Sequence, residues 1–186
     1  MFDTALIVID LQRDYLAGGK FPLPGIERAI ERAAVLIGLF RASGMPVVHV
    51  RHMELDPAVG FLLEGTTGAE IDARVAPQGE DMLITKNHPN AFRDTTLAKV
   101  LHVLGTKELF FCGAMSNMCI DATVRAAHDM GYRCTVIEDA CAASDLTFRG
   151  SPISAVQVHA VFMAALASAY GEVVDLKTFS ERLAGG

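Results

Sequence analysis

ELFFCGAMSNMCIDATVRAAHDMGYRCTVIED, residues 108–139, holds two apolar runs separated by a helical period. ELFFCG (108–113) and RCTVIED (133–139) are close to continuously apolar through their middles, the mark of strands covered on both faces. Residues 117–130 between them carry the spacing of a helix, and Gly131 stands where a helix C-cap belongs. A strand, a helix and a second strand in this order form a parallel unit, because a right-handed helical crossover returns the chain to the same sheet.

The same alternation continues in both directions. TALIVID (4–10), PVVHVR (46–51), DMLITK (81–86) and GEVVD (171–175) read as further strands. Helical patterns fill 25–44, 94–104 and 152–169, with Gly44 and Gly105 at C-cap positions. We therefore expect a three-layer α/β/α sandwich around a six-stranded, mainly parallel sheet, with residues 1–186 forming a single domain. Repeats, low-complexity tracts and linkers are absent from the sequence. The irregular stretch 52–80 is rich in Gly and Pro and is expected to hold a short helix, a lid or an oligomer contact. The final SERLAGG is expected to fray.

Composition narrows the function. Of 186 residues 51% are apolar and 20% charged, enough to bury one substantial core. A net charge of −6 without any basic run excludes a nucleic-acid partner, which needs a cationic face. Apolar runs are strand-sized, so no membrane span is expected, and MFDTALIVID lacks the basic n-region of a signal peptide. We expect a cytosolic protein whose four cysteines, 112, 119, 134 and 141, stay reduced; none has metal-ligand or CxxC spacing.

In an open parallel sheet ligands bind at the carboxyl ends of the strands. Asp10 closes the first strand, Lys86 the third, and GAMSNMCI follows the fourth. Cys119 falls in the first turn of a helix opening near Ser116 or Asn117. The helix dipole there should lower the thiol pKa, and the free N–H groups of the turn can serve an oxyanion. Cys112 and Cys134 read as core residues; Cys141, expected just after the fifth strand, has no helix N-terminus directly behind it. Taken singly, Asp10 could cap a loop, Lys86 could be a surface lysine and Cys119 a structural thiol. Together, carboxylate, ammonium and thiol form a proton shuttle in which Asp10 takes the thiol proton and passes it to a leaving amine while Lys86 holds the carboxylate.

ALIVIDLQRDYL, LITKNHPNAFRDTTL and LFFCGAMSNMCIDATVRAAHDMGY, in that order and spacing, resemble the signature segments of the isochorismatase-like cysteine hydrolases. The resemblance continues through VIEDACAA and HAVFMAALA. It implies a hydrolase of carbon–nitrogen bonds other than peptide bonds, with a triad of Cys119, Asp10 and Lys86. It also implies a cis peptide at Ala114–Met115, an oxyanion hole from the Met115 and Cys119 amides, a pocket lined by Tyr15 and Phe92, and assembly as a dimer or tetramer. Nicotinamidases of that superfamily bind a metal through an Asp-x-His segment after the second strand. Here VVHVRHMELDPAVG places Arg51 at the aspartate, and His49, His52 and Asp56 lie outside that spacing, so no metal or other cofactor is expected. Retention of Cys119 favours covalent amide chemistry over the vinyl-ether hydrolysis of true isochorismatases.

Tyr15, Phe92, Met115, Asn87, His88 and Asn117 suit a small, flat, partly polar amide or ureido compound, although His88 reads more simply as a loop residue. His102, His128 and His159 lie on helices, away from the strand edge, and read as satisfied, partly buried histidines and not as catalytic bases, and Asp139 and Asp145 as loop or cap residues. Three other readings are weaker. A nucleotide-binding protein lacks GxGxxG or a P-loop after its first strand, and a thiol redox protein lacks a resolving cysteine near Cys119. A scaffold assembling through SPISAVQVHAVFMAALASAY has no use for three converging polar residues.

Overall fold

The computed structural model describes residues 3–185. Strands β1 (Thr4–Ile9), β2 (Val47–His52), β3 (Met82–Lys86), β4 (Glu108–Ala114) and β5 (Arg133–Ala142) are followed by a short pair, β6 (Leu146–Phe148) and β7 (Ser151–Ile153), and by β8 (Glu172–Val174). The helices are α1 (Ile26–Ala42), α2 (Leu97–Leu104), α3 (Asp121–Asp129), α4 (Ala155–Ala169) and α5 (Leu176–Gly185). The six-stranded sheet has the order β3-β2-β1-β4-β5-β8, every pairing parallel, and β6 and β7 form a separate antiparallel hairpin. The chain starts at the centre, builds outward through β2 and β3, then crosses to β4 and on to β8. The strand order thus reverses between β1 and β4, and the crevice for a ligand lies at their carboxyl ends.

β1 shows why the sheet needs a layer on each face. Ala5 to Ile9 are all 2% exposed or less, and successive side chains point to opposite faces. Leu6 and Val8 pack with Ile30, Phe40 and Phe179, whereas Ile7 and Ile9 pack with Leu101, Val124 and Leu166. Burying each such side chain stabilises the fold by about 1.5–3 kcal/mol. Helix α1 meets the first layer through Ile26, Ala29, Ile30, Ala33, Leu36, Ile37 and Phe40, spaced three and four apart. Among the described residues, no helix is long and apolar enough to cross a membrane.

Several boundaries differ from the sequence expectation. Cys141 lies inside β5, not after it. Residues 151–153 are strand, because Arg149 and Gly150, with φ of 50° and 81°, make the tight turn of a β-hairpin. Helix α4 starts after that, at a capping box of Ser154 and Gln157, with Asp145 accepting the Ala155 N–H at 2.6 Å. The SERLAGG segment, expected to fray, is exposed from Glu181 on but helical through Gly185 as the end of α5, with Gly186 outside the described residues. Helix α5 docks through the preceding Leu176 and Phe179, which are buried, and the Phe179 ring stacks on Phe40 at 5.7 Å.

The stretch 52–80 holds three single 3-10 turns, at Pro57–Val59, Thr67–Ala69 and Ala73–Val75. It is stapled to the loop after β1. Gln12 pairs with Ile71, the Gln12 side chain donates to Ala69 O, and Asp14 accepts the Leu62 N–H at 2.6 Å. Gly68 passes so close that a Cβ there would lie 2.1 Å from Asp14 Oδ1. Hydrogen bonds of this kind, buried and spread along the segment, anchor it beside the carboxyl end of β1.

Candidate active site

β1 stops at Ile9 because the next residue, Asp10, turns to a positive φ of 51°. Its N–H still donates to Val50 O at 2.8 Å, so the carboxylate is fixed just beyond the strand instead of within it. β4 passes this point through Gly113, at φ 130°, where a Cβ would come within 1.9 Å of Ile9 O. Only glycine permits that approach, and it brings the end of β4 next to Asp10. The Ala114–Met115 peptide that follows is cis, and Ser116–Ile120 form one π-helical turn before α3 begins. Cys119 is in that turn, a tertiary feature that helix periodicity does not distinguish from an ordinary first turn.

Lys86, at the end of β3, reaches across β2 to the site. Its Nζ donates to Asp10 Oδ2 at 2.6 Å and to Cys119 Sγ at 3.2 Å. His52 Nδ1 lies 3.0 Å from the same nitrogen. Three ammonium hydrogens thus meet three acceptors, and the Lys86 and Asp10 side chains have no exposed surface. His52 was expected to be an ordinary strand or loop residue; in fact β2 extends one residue further, and His52 pairs in register with Lys86. Matching the ends of β2 and β3 residue by residue would have found it. Because Nδ1 accepts, Nε2 carries the hydrogen and faces Glu54 Oε2 at 3.6 Å. Gln12, fully buried, fixes this strand end by accepting the His52 N–H and donating to His52 O, both at 2.8 Å.

The ligand atoms of Asp10, His52 and Cys119 lie within 4.8 Å of one another, a spacing compatible with a metal. However, the Lys86 ammonium already sits among them at 2.6, 3.0 and 3.2 Å. A second cation in the same space would be repelled and would strip all three donors from Lys86, so these residues do not fit a metal. His49 and Asp56 serve elsewhere: His49 contacts Asp81 at 3.2 Å in a buried cluster with Arg41, and Asp56 caps the turn at Ala58.

The protonation states follow from burial and from neighbouring charge. Burial opposes the charge on Lys86, but Asp10 and Cys119 outweigh it, and the Lys86 pKa is raised. Burial, and then Lys86, lower the His52 pKa, keeping the ring neutral. For Cys119 the expected lowering is overturned: burial and the Asp10 carboxylate push the thiol well above its ordinary value, against the pull of Lys86. A thiol that is 6% exposed loses more to desolvation than one turn of helix returns. The Cys119 sulfur therefore rests as a thiol, and ionising it requires a base. Asp10 Oδ1 is buried and has no hydrogen-bond partner. Burial pushes Cys134 and Cys141 up to about 12, and neither thiol has a carboxylate–ammonium pair beside it.

Other expected site residues divide. Tyr15 is buried against Phe21 and Phe61, and its pKa is raised by burial and then by Asp10 and Cys119. Phe92 packs in the same core layer as Cys119 and stacks on Tyr132. Asn117 leaves its Oδ1 buried and unpartnered. By contrast, Asn87 donates one amide N–H to Met53 O at 2.6 Å, and His88 Nε2 lies 3.3 Å from the exposed Asp94. A hollow of about 400 Å³ is lined by residues including Arg13, Lys20, Phe61 and Thr67 and does not include Cys119.

Comparison with known proteins gives a consistent answer. The family model described as Isochorismatase domain matches residues 4–177. The uncharacterized isochorismatase family protein YddQ of Bacillus subtilis is 44% identical over 176 residues, covering 95% of this chain and 98% of that one. Maleamate amidohydrolase of Pseudomonas putida is 31% identical over 150 residues, covering 73% of this chain and 70% of the relative. The crystal structure of an isochorismatase from Pseudomonas putida KT2440 is 37% identical with a TM-score of 0.89, covering 95% and 89% of the two chains.

Proposed function

The chain belongs to the isochorismatase family, and from that membership we propose that it is a cysteine hydrolase cleaving a carbon–nitrogen bond of a small amide or ureido compound through a thioester. One observation carries the proposal: a single buried ammonium holds both Asp10 and Cys119, while Asp10 Oδ1 is buried without a hydrogen-bond partner.

The steps follow from the atoms present. As Sγ of Cys119 attacks the substrate carbonyl, its proton passes to Asp10 Oδ1 and the carbonyl electron pair moves onto oxygen. The Met115 and Cys119 amides receive that oxyanion. Lys86 stays charged throughout, orients Oδ2 and offsets the negative charge shared between carboxylate and sulfur. When the tetrahedral adduct collapses, the carbon–nitrogen bond breaks and Asp10 returns its proton to the leaving amine, leaving an acyl group on sulfur. A water deprotonated by Asp10 then attacks the thioester, and the proton returns to Sγ as the acid departs. Tyr15 and Phe92 line the substrate, and Asn117 Oδ1 accepts one of its N–H groups. A thiol this enclosed suits a small substrate.

The test is a panel of nicotinamide, N-carbamoyl amino acids, maleamate, ureidoacrylate and biuret, with ammonia release and intact protein mass recorded together. Ammonia from one compound, with an acyl-sized mass increase trapped on the protein by rapid acid quench, is the expected result. Turnover of a vinyl ether without any adduct would replace the amide reading with the isochorismatase reaction.

The same proposal takes the protein as a cytosolic homo-oligomer. Val156 and Val161 of α4 are 78% and 64% exposed, an apolar strip that a second copy would cover. Sedimentation equilibrium should return a multiple of the 19.9 kDa chain mass, and the Val161→Glu variant should sediment as a smaller species. A wild-type monomer would remove this assignment.

A further inference from the structure

The three helical histidines were expected to be satisfied, partly buried residues and not catalytic bases, and for His159 the partners that satisfy it are informative. It projects from α4 to the turn that carries the nucleophile, where its Nδ1 lies 2.8 Å from Ser116 Oγ. Ser116 heads that turn, three residues before Cys119 and directly after Met115, and is completely buried. Its hydroxyl donates to Ala142 O at 3.2 Å, at the end of β5. With that hydrogen used, the bond to His159 must take its hydrogen from Nδ1. On the ring's other side Nε2 lies 3.3 Å from Glu138 Oε2, also on β5, so a ring that donates to both partners is the imidazolium paired with that carboxylate. The order carboxylate, imidazole, hydroxyl is that of a serine hydrolase triad, but a hydroxyl without exposed surface cannot attack a substrate. The chain of bonds instead joins three elements, β5, α4 and the nucleophile turn, at the residue between the two proposed oxyanion amides.

We propose that His159, held by Glu138, is a positioning residue that fixes Ser116 and through it the Met115 amide and Cys119. The proposal rests on the functional reading above and adds to it a residue that touches neither substrate nor triad. It makes Nδ1–H the operative group. Asn at 159 can present a side-chain N–H near the Nδ1 position, whereas Ala leaves the buried Ser116 oxygen short of a donor.

Two measurements test it, one independent of any substrate. Hydrogen–deuterium exchange over residues 114–121 should quicken severalfold in His159→Ala and Ser116→Ala, no further in the double variant, and return close to wild type in His159→Asn. On whichever amide the wild type hydrolyses, kcat should fall about 10- to 100-fold in His159→Ala with KM within a factor of about three, since a small misplacement of reacting groups acts on the chemical step. The Asn variant should recover most of kcat. Wild-type exchange in His159→Ala, or an Asn variant as impaired as the Ala variant, would overturn the proposal. If the wild type hydrolyses no amide, the functional reading fails, and the exchange data still decide the role of His159.

Discussion

On the proposed mechanism, Cys119→Ala is expected to abolish ammonia release from every amide the wild-type protein hydrolyses, a loss of about 10⁴-fold or more, because the covalent route has no substitute nucleophile. The acyl adduct should disappear with it. Folding should be nearly unchanged, since the thiol is small and its one polar contact, Lys86, keeps Asp10 and His52 as partners. A variant that keeps more than about one per cent of wild-type turnover would mean that Cys119 is not the nucleophile. The resting thiol state gives this prediction a pH arm. Burial and Asp10 hold the Cys119 pKa above its ordinary value, so iodoacetamide labelling of that residue, followed by peptide mass, should be slow at pH 7 and still climbing at pH 10. A plateau reached below pH 8 would show a pre-formed thiolate and remove the need for Asp10 as base.

Lys86→Met keeps the buried stem but deletes the charge, and we expect it to be both inactive and destabilised by about 3–5 kcal/mol, the cost of leaving one member of a buried ion pair alone. The Lys86 and Asp10 side chains are both without exposed surface, so water cannot take over the missing partner. The informative comparison is the double variant. Adding Asp10→Asn removes the stranded charge, and Lys86→Met/Asp10→Asn should recover about 2 kcal/mol relative to Lys86→Met alone while remaining inactive. Urea midpoints measure both differences. If the double variant is less stable than Lys86→Met, the pair is not the source of the penalty, and His52 or the packing around the lysine stem becomes the cause.

Both predictions concern residues that one-dimensional reasoning located. Asp10, Lys86 and the segment containing Cys119 stand at the carboxyl ends of apolar runs, and strand ends are legible because burial on two faces demands continuous apolar sequence. His52 was passed over for the converse reason. It sits at such an end as well, but β2 ends only by pairing with β3, and register between strands is a long-range property. His159 is 43 residues from Ser116, on the helix of the next crossover, and that helix has apolar residues all round its axis, so no periodicity marks the face it presents.

The sequence by itself determined the alternation of elements, the parallel sheet and the edge on which the chemistry stands, since hydrophobic period and turn residues act locally and every residue carries part of the signal. Tertiary structure alone decided the rest. It set which loop is stapled over β1, the additional hairpin and C-terminal helix, and the π turn at Cys119. It also set the protonation of that thiol, because the balance between desolvation, a carboxylate at hand and an ammonium 3.2 Å away depends on distances of a few ångströms between residues far apart in the chain.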